Sequence, residues 1–179
     1  MAKNPRSNVK KKRLKEGRDP TPSYGLIDPQ SVKTIYASEG RGYDGNKKVK
    51  GRKRHIVSGT MGNLLAVKVH AANISDTTAG IGPAVQAYEK YPTIKKFCGD
   101  KGYRGTFVID VFWGFALDVD ISERVTPKFE VLPKRWVIER TFAWLNNYRR
   151  LSKDYEIAVE SAEAMIVIAS LHSLLKSLA

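Results

Sequence analysis

From Tyr24 onward the apolar residues fall into short blocks separated by Gly, Pro, Asn and Asp, and each block predicts an element. Tyr24-Gly25-Leu26-Ile27 reads as a strand ending at Asp28. Arg54 to Ser58 and Leu64 to His70 read as two further strands, with Thr60-Met61-Gly62-Asn63 supplying the turn chemistry between them. A helix capped by Asp76 or Thr77 is expected to run to about Tyr91, with Pro92 marking its exit. Ile94 to Cys98 predicts a strand that leads through Gly99 to Asp100. A helix is expected over Thr106 to Phe112, a short strand over Leu117 to Ile121, and a basic, amphipathic helix around Glu139. The last segment, Ser161 to about Leu178, is apolar on most sides and predicts a helix packed in the core.

Three successive strands followed by alternating helices and strands imply an α/β fold, a mixed sheet covered by helices. A chain of 179 residues suits one ordinary domain. The first twenty residues carry many bases and almost no apolar side chains, so they bury too little surface to offset the entropy of ordering. A flexible basic arm is therefore expected over residues 1–22, with Pro20 and Pro22 setting it off from a domain covering 23–179. Gly and basic residues alternate between Gly40 and Arg54, which reads as a loop.

Charge narrows the class of partner. The formal net charge is +13, from 31 Lys and Arg against 18 Asp and Glu, and such an excess favours polyanions through counterion release. Basic structural nucleic-acid-binding proteins share this trait, so it sets the partner and not the activity. A lone cysteine, Cys98, excludes an intramolecular disulfide and reads as a buried thiol in an apolar strand. No apolar run has the length of a membrane span, and Met1 is followed by polar and basic residues without a signal-type core. The expectation is a cytoplasmic protein with no membrane partner, associated with the nucleoid when bound to DNA.

Three acids carry the candidate chemistry. Asp28 and Asp100 each end an apolar run, and Glu139 lies in the stretch from Pro133 to Leu145. Magnesium takes hard oxygen ligands, commonly one or two carboxylates with water and substrate phosphate. Two such ions can activate an attacking oxygen and stabilise the leaving one in phosphodiester chemistry. Acids so distant in sequence do this only if the fold gathers them. Each has an ordinary reading as well: Asp is common in turns, and Glu139 can pair with Arg135 one helical turn away. Arg135 can equally orient the carboxylate or hold a phosphate beside it. Trp136 and Trp144 read as core anchors rather than base-stacking platforms. The candidate DNA contacts are Lys33, Arg41, Lys47, Lys48, Lys50, Arg52, Lys53 and Arg54, with Arg135 and Arg140 on the helix. His55, His70 and His172 lack metal-ligand spacing and read as packing or surface residues. Neither a phosphate-binding loop nor a nucleophile elbow is present.

Several ordered blocks carry a family resemblance: Ile27 to Thr34, Gly42 to His55, Asp100-Lys101-Gly102-Tyr103, Arg135 to Leu145, and Leu151 to Glu156. They resemble the DDE transposases of bacterial insertion sequences, in the insertion-sequence-five group, and the resemblance covers nearly everything after Arg18. It implies an RNase H-like fold with Asp28 and Asp100 on strand ends and Glu139 on a late helix, all three binding divalent metal, Mg2+ or Mn2+. It further implies nicking of element ends in double-stranded DNA, followed by transfer of the freed 3′ hydroxyl to target DNA, with a homo-oligomer or an N-terminal transposase half as protein partner. Two departures stand out. Pro29 occupies a position where such proteins usually have Ser, which removes a backbone donor and holds Asp28 extended. The N-terminal region is also shorter than the mostly helical, end-recognising portion of full-length relatives, so the chain reads as a catalytic half. The alternative reading is a non-catalytic DNA-binding remnant or a regulator of transposition.

Overall fold

A computed structural model describes residues 5–123 and 133–178. The helices are α1 (Pro5–Lys15), α2 (Asp76–Lys90), α3 (Thr106–Phe115), α4 (Pro133–Asn146) and α5 (Val159–Lys176). The strands are β1 (Tyr24–Lys33), β2 (Gly42–Asp44), β3 (Val49–Ser58), β4 (Leu64–Ala71), β5 (Lys96–Asp100) and β6 (Asp118–Ser122). They form one mixed sheet flanked by helices, as the strand and helix order predicts. Antiparallel pairing joins β1 to β3 and β3 to β4, whereas β1, β5 and β6 run parallel.

The period-two alternation of the strands sorts their side chains onto two faces. Leu26, Ile56, Val67, Val69 and Cys98 meet Ile138, Phe142, Leu145, Ala162 and Ile166 from α4 and α5. On the other face, Ile27, Val57, Leu65 and Phe97 meet Ala84, Ala87, Phe107 and Val111 from α2 and α3. Small residues let α2 lie close to the sheet, and Ser75, one residue ahead of the expected caps, accepts from the Thr78 amide at 3.3 Å. The last helix is less buried than its composition implies. Ala162, Ile166, Ala169 and Leu174 are in the core, while Val167, Ile168 and Leu175 are exposed.

The basic stretch after Gly40 is a correction, because β2 and the first half of β3 replace the expected loop. A binary reading misses this strand because Arg52 and Arg54 occupy positions that normally hold apolar side chains. Both are buried, with the charge and the donors satisfied internally. Arg52 pairs with buried Asp154 at 3.1 Å and donates to the carbonyls of Glu39, Glu156 and Ile157. Arg54 donates to the carbonyls of Leu151 and Lys153 at 2.6 and 3.0 Å. Lys53 is buried on the opposite face, donating to the Ile74 carbonyl and to Asp76. Arg52 and Arg54 thus tie β3 to the segment between α4 and α5, and Lys53 ties it to the start of α2.

The amino-terminal arm is a second correction. Its residues from Pro5 form α1, which contacts α5. Val9, Asn8 and Arg13 are buried, and Arg13 Nε donates to the Asp19 carbonyl at 2.6 Å. A narrow face of one apolar and two polar residues escapes a reading based on composition, and the docking rather than intrinsic propensity holds the helix. Residues 1–4 of the expected arm, and the segment 124–132 leading to α4, lie outside the described residues. Cys98 is buried as expected, and among the described residues no helix is long and apolar enough to cross a membrane.

Removing the Arg52 side chain leaves Asp154 buried without its partner, so Arg52→Ala should cost about 3–5 kcal/mol in urea unfolding. Asp154→Ala should cost a similar amount, with the double variant well short of the sum. Lys48→Ala, on the exposed turn, should stay within about 0.5 kcal/mol. An Arg52→Ala variant as mild as Lys48→Ala would contradict the internal role of this guanidinium.

Candidate active site

The site begins with strand register. Leu26 of β1 lies level with Cys98 of the parallel strand β5, and the pairing between the two strands stops there. Two residues further along each strand, on the same face, come Asp28 and Asp100. The two acids line one narrow cleft with Ser122 of β6 and Lys134, Arg135 and Ile138 of α4. Pro29 is compatible with this arrangement: β1 continues extended through it, opposite His55 of β3, and on the β5 side no ladder bond is left for it to break. Asp28 thus lies inside the strand rather than at its end.

Electrostatics mark Asp28 as the unusual member. Burial first, and the neighbouring Asp100 second, push its carboxyl up to about 7, while Lys47 and Arg135 oppose the shift. Asp100 caps the short 3-10 turn Lys101–Tyr103, its Oδ1 accepting from the Gly102 amide at 2.8 Å. Glu139 follows Ile138 on α4 but is exposed, with Oε1 accepting from Arg135 Nε at 2.9 Å. The fold therefore brings Asp28 and Asp100 together, while Glu139, the residue after cleft-lining Ile138, is held in an ion pair with Arg135. Among the described residues no group of three or more His, Cys, Asp or Glu is set to hold a metal ion. The two-carboxylate donor set nevertheless fits a small hard divalent cation, which needs one or two carboxylates and offsets the repulsion that raises Asp28.

A further acid escapes the sequence reading. Asp76 looks like a helix cap, yet its Oδ1 accepts from Lys53 at 2.7 Å, and its charge also pushes Asp28 upward. Nothing along the chain links residue 76 to residue 28; only the β3 register of Lys53 does.

The expected DNA contacts divide by exposure. Lys33, Lys47, Lys48 and Lys50 are exposed, and Lys47 reaches back to the Pro29 carbonyl at 3.5 Å, beside the acids. Arg41 is half-buried and donates to the Tyr36 carbonyl at 2.7 Å. Arg52, Lys53 and Arg54 are buried on internal partners and are withdrawn as contacts. On α4 the buried stripe is Ile138, Thr141, Phe142 and Leu145, which leaves Trp136 and Trp144 exposed rather than in the core. Arg140 lies between their rings, 4.5 and 4.6 Å from the centroids. A separate cavity of about 890 Å³ is lined by residues such as Val9, Leu65, Leu145 and Leu171 and by none of the three acids.

A family model described as a Transposase DDE domain matches residues 19–112, and a second of the same description matches residues 97–176. A Burkholderia cepacia protein described as a transposase for insertion sequence element IS402 is 31% identical over 114 residues, 59% of this chain and 54% of the relative. The match thus spans about half of that relative's length. Among solved structures, the catalytic core domain of BIV integrase superposes with a TM-score of 0.51 at 11% identity, over 83% of this chain and 81% of the other. That likeness gives the fold as an RNase H-like mixed sheet flanked by helices.

The raised Asp28 carboxyl has a signed consequence for stability. Its contribution is complete below the ordinary carboxylate range and is lost as pH rises to about 7, because ionisation then opposes folding. Without divalent cation, Asp28→Asn should be more stable than the parent at pH 8, by on the order of 2 kcal/mol, with the gap closing toward pH 4. Urea unfolding in chelator at the two pH values measures it. A variant no more stable than the parent at pH 8 would contradict the crowding of Asp28 and Asp100.

Proposed function

Because this chain belongs to the DDE transposase domain family, we propose that it is a divalent-metal-dependent DNA nuclease and strand-transfer enzyme of an insertion sequence, or the catalytic portion of one. The observation that carries this reading is the placement of Asp28 and Asp100 side by side under α4, the helix that bears Glu139. Asp28 and Asp100 would hold the divalent ion, magnesium or manganese, and Glu139 would join them. A bound ion supplies Lewis-acid activation of the attacking and leaving oxygens of a phosphodiester.

The chain's own residues supply the rest. Arg135, which lines the cleft, holds Glu139 in an ion pair, and a phosphate arriving at the guanidinium would compete with that pair. Release of Glu139 then couples DNA binding to completion of the acid centre. Exposed Lys47, close to Asp28, with Lys48 on the same turn and Lys50 at the start of β3, offers charge to the DNA backbone. Arg140, held between two exposed indoles, presents a preorganised fork to a further phosphate. Double-stranded DNA, as element end and target, is the proposed substrate, which places the protein in the cytoplasm of a bacterium. The motifs from Arg135 to Leu145 and around Asp100 support the insertion-sequence-five group. A homo-oligomer or an N-terminal transposase half is the proposed protein partner. The Glu139–Arg135 pair is also what favours the alternative, a non-catalytic DNA-binding regulator of transposition.

Nicking of supercoiled plasmid with Mg2+ or Mn2+ separates these readings. Asp100→Asn and Glu139→Gln should each lower the rate by about a hundredfold or more, with circular dichroism unchanged. Cleavage that persists in both variants would exclude these acids from the chemistry, and binding without metal-dependent nicking by the parent would select the regulator. Neutralising Lys47, Lys48 and Lys50 to Gln should reduce the slope of log affinity against log salt by up to about 0.9 for each phosphate that is no longer neutralised. An unchanged slope would move the DNA path elsewhere.

A further inference from the structure

Beneath the acid centre, on the opposite face of the sheet, runs a chain of three polar side chains, with Tyr103 and His55 buried and His70 half-buried. Tyr103 closes the turn that Asp100 caps, and its ring is wholly buried. Two glycines make room for it: a methyl group built on Gly99 would lie 2.5 Å from the ring, and one on Gly80 2.8 Å from it. The Tyr103 hydroxyl meets His55 Nε2, His55 Nδ1 lies 3.2 Å from His70 Nε2, and His70 Nδ1 lies 3.0 Å from the Ala71 carbonyl.

The final acceptor orders the whole chain. A carbonyl cannot donate, so His70 carries its proton on Nδ1, and its bare Nε2 accepts from His55 Nδ1–H. His55 Nε2 is then bare and accepts from the Tyr103 hydroxyl. Both imidazoles are neutral in this arrangement. Burial holds each below the ordinary histidine range, and the Lys53 ammonium, paired with Asp76, acts in the same direction. The other charges facing the chain are Asp28 and Asp100, which with Asp76 favour the neutral Tyr103 phenol.

We propose that Tyr103, His55 and His70 are positioning residues for Asp100, tying its turn to β3 and β4. The need arises from the register: β5 loses its β1 partner after Cys98, so on the cleft side nothing in the ladder holds Asp100. The hydrogen-bonded chain supplies that link from below, because His55 lies opposite Pro29, the residue after Asp28. One strand position therefore sets the spacing of both acids. This inference rests on the acid-centre reading given above.

The test uses Tyr103→Phe, which keeps the ring, and His70→Leu, which breaks the outer link. His70→Gln serves as the conservative variant, since its carbonyl can accept from His55 Nδ1–H. Side-chain nitrogen shifts of the parent should report Nδ1–H tautomers for both His55 and His70. Hydrogen exchange at the Gly102 amide, which Asp100 accepts, should speed up roughly three- to tenfold in Tyr103→Phe and His70→Leu. Mn2+ affinity should weaken by a similar factor, with β3 amides still protected, and His70→Gln should recover both values. Parent-like exchange and affinity in Tyr103→Phe, or equal defects in His70→Leu and His70→Gln, would overturn the proposal. If the parent binds no Mn2+, the acid-centre reading fails, and Gly102 exchange alone then decides whether the chain anchors the turn.

Discussion

Two carboxylates of like charge lie side by side because β1 and β5 run parallel in a register that brings Asp28 and Asp100 to the same level and the same face. Everything at the site answers this repulsion. The strands part where the acids begin, Lys47 and Arg135 lend partial compensation, and the Asp28 carboxyl is still driven up to about 7. A fold that holds such a pair without a matched cation between them carries an electrostatic load, and a divalent ion is the simplest group that removes it. The proposed chemistry and the instability therefore have one source.

What offsets that load lies on β3. Its basic residues do two different jobs in one short run. Arg52 and Arg54 face α4 and α5 and fasten the segment 151–157 by a buried ion pair and carbonyl bonds, while Lys53 faces α2 and secures Asp76. His55, the next residue, joins the network under Asp100. The exposed bases are Lys47 and Lys48 on the turn before the strand and Lys50 at its start, and of these Lys47 lies close to Asp28. Net charge points to a polyanionic partner, but a substantial share of the cationic side chains in this stretch is structural.

Much of the fold was legible in the chain. Hairpin strands around Gly62, the helix ending before Pro92 and the strand leading to Asp100 follow from apolar spacing and turn residues, because those elements present one side to the core. Where buried positions hold Arg, or where a helix docks by Val9, Asn8 and Arg13, the pattern fails, since tertiary partners make polar side chains fit for burial. The acids divide in the same way. Asp28 and Asp100 could be singled out because each follows an apolar run, whereas Asp76 and the histidine chain could not, as their meaning depends on cross-strand neighbours such as Lys53 opposite His70. Trp136 and Trp144 were misread because hydrophobicity says nothing about which side of α4 faces the sheet.

As a divalent-metal centre, the Asp28–Asp100 cleft would recruit Glu139 from Arg135. Anomalous diffraction from crystals soaked in Mn2+ together with a short DNA duplex addresses it most directly. The account predicts a manganese peak shared by the Asp28 and Asp100 carboxylates, with Glu139 turned away from Arg135 and toward the ion. A cleft without manganese, with Glu139 still paired to Arg135 while the DNA is bound, would contradict it.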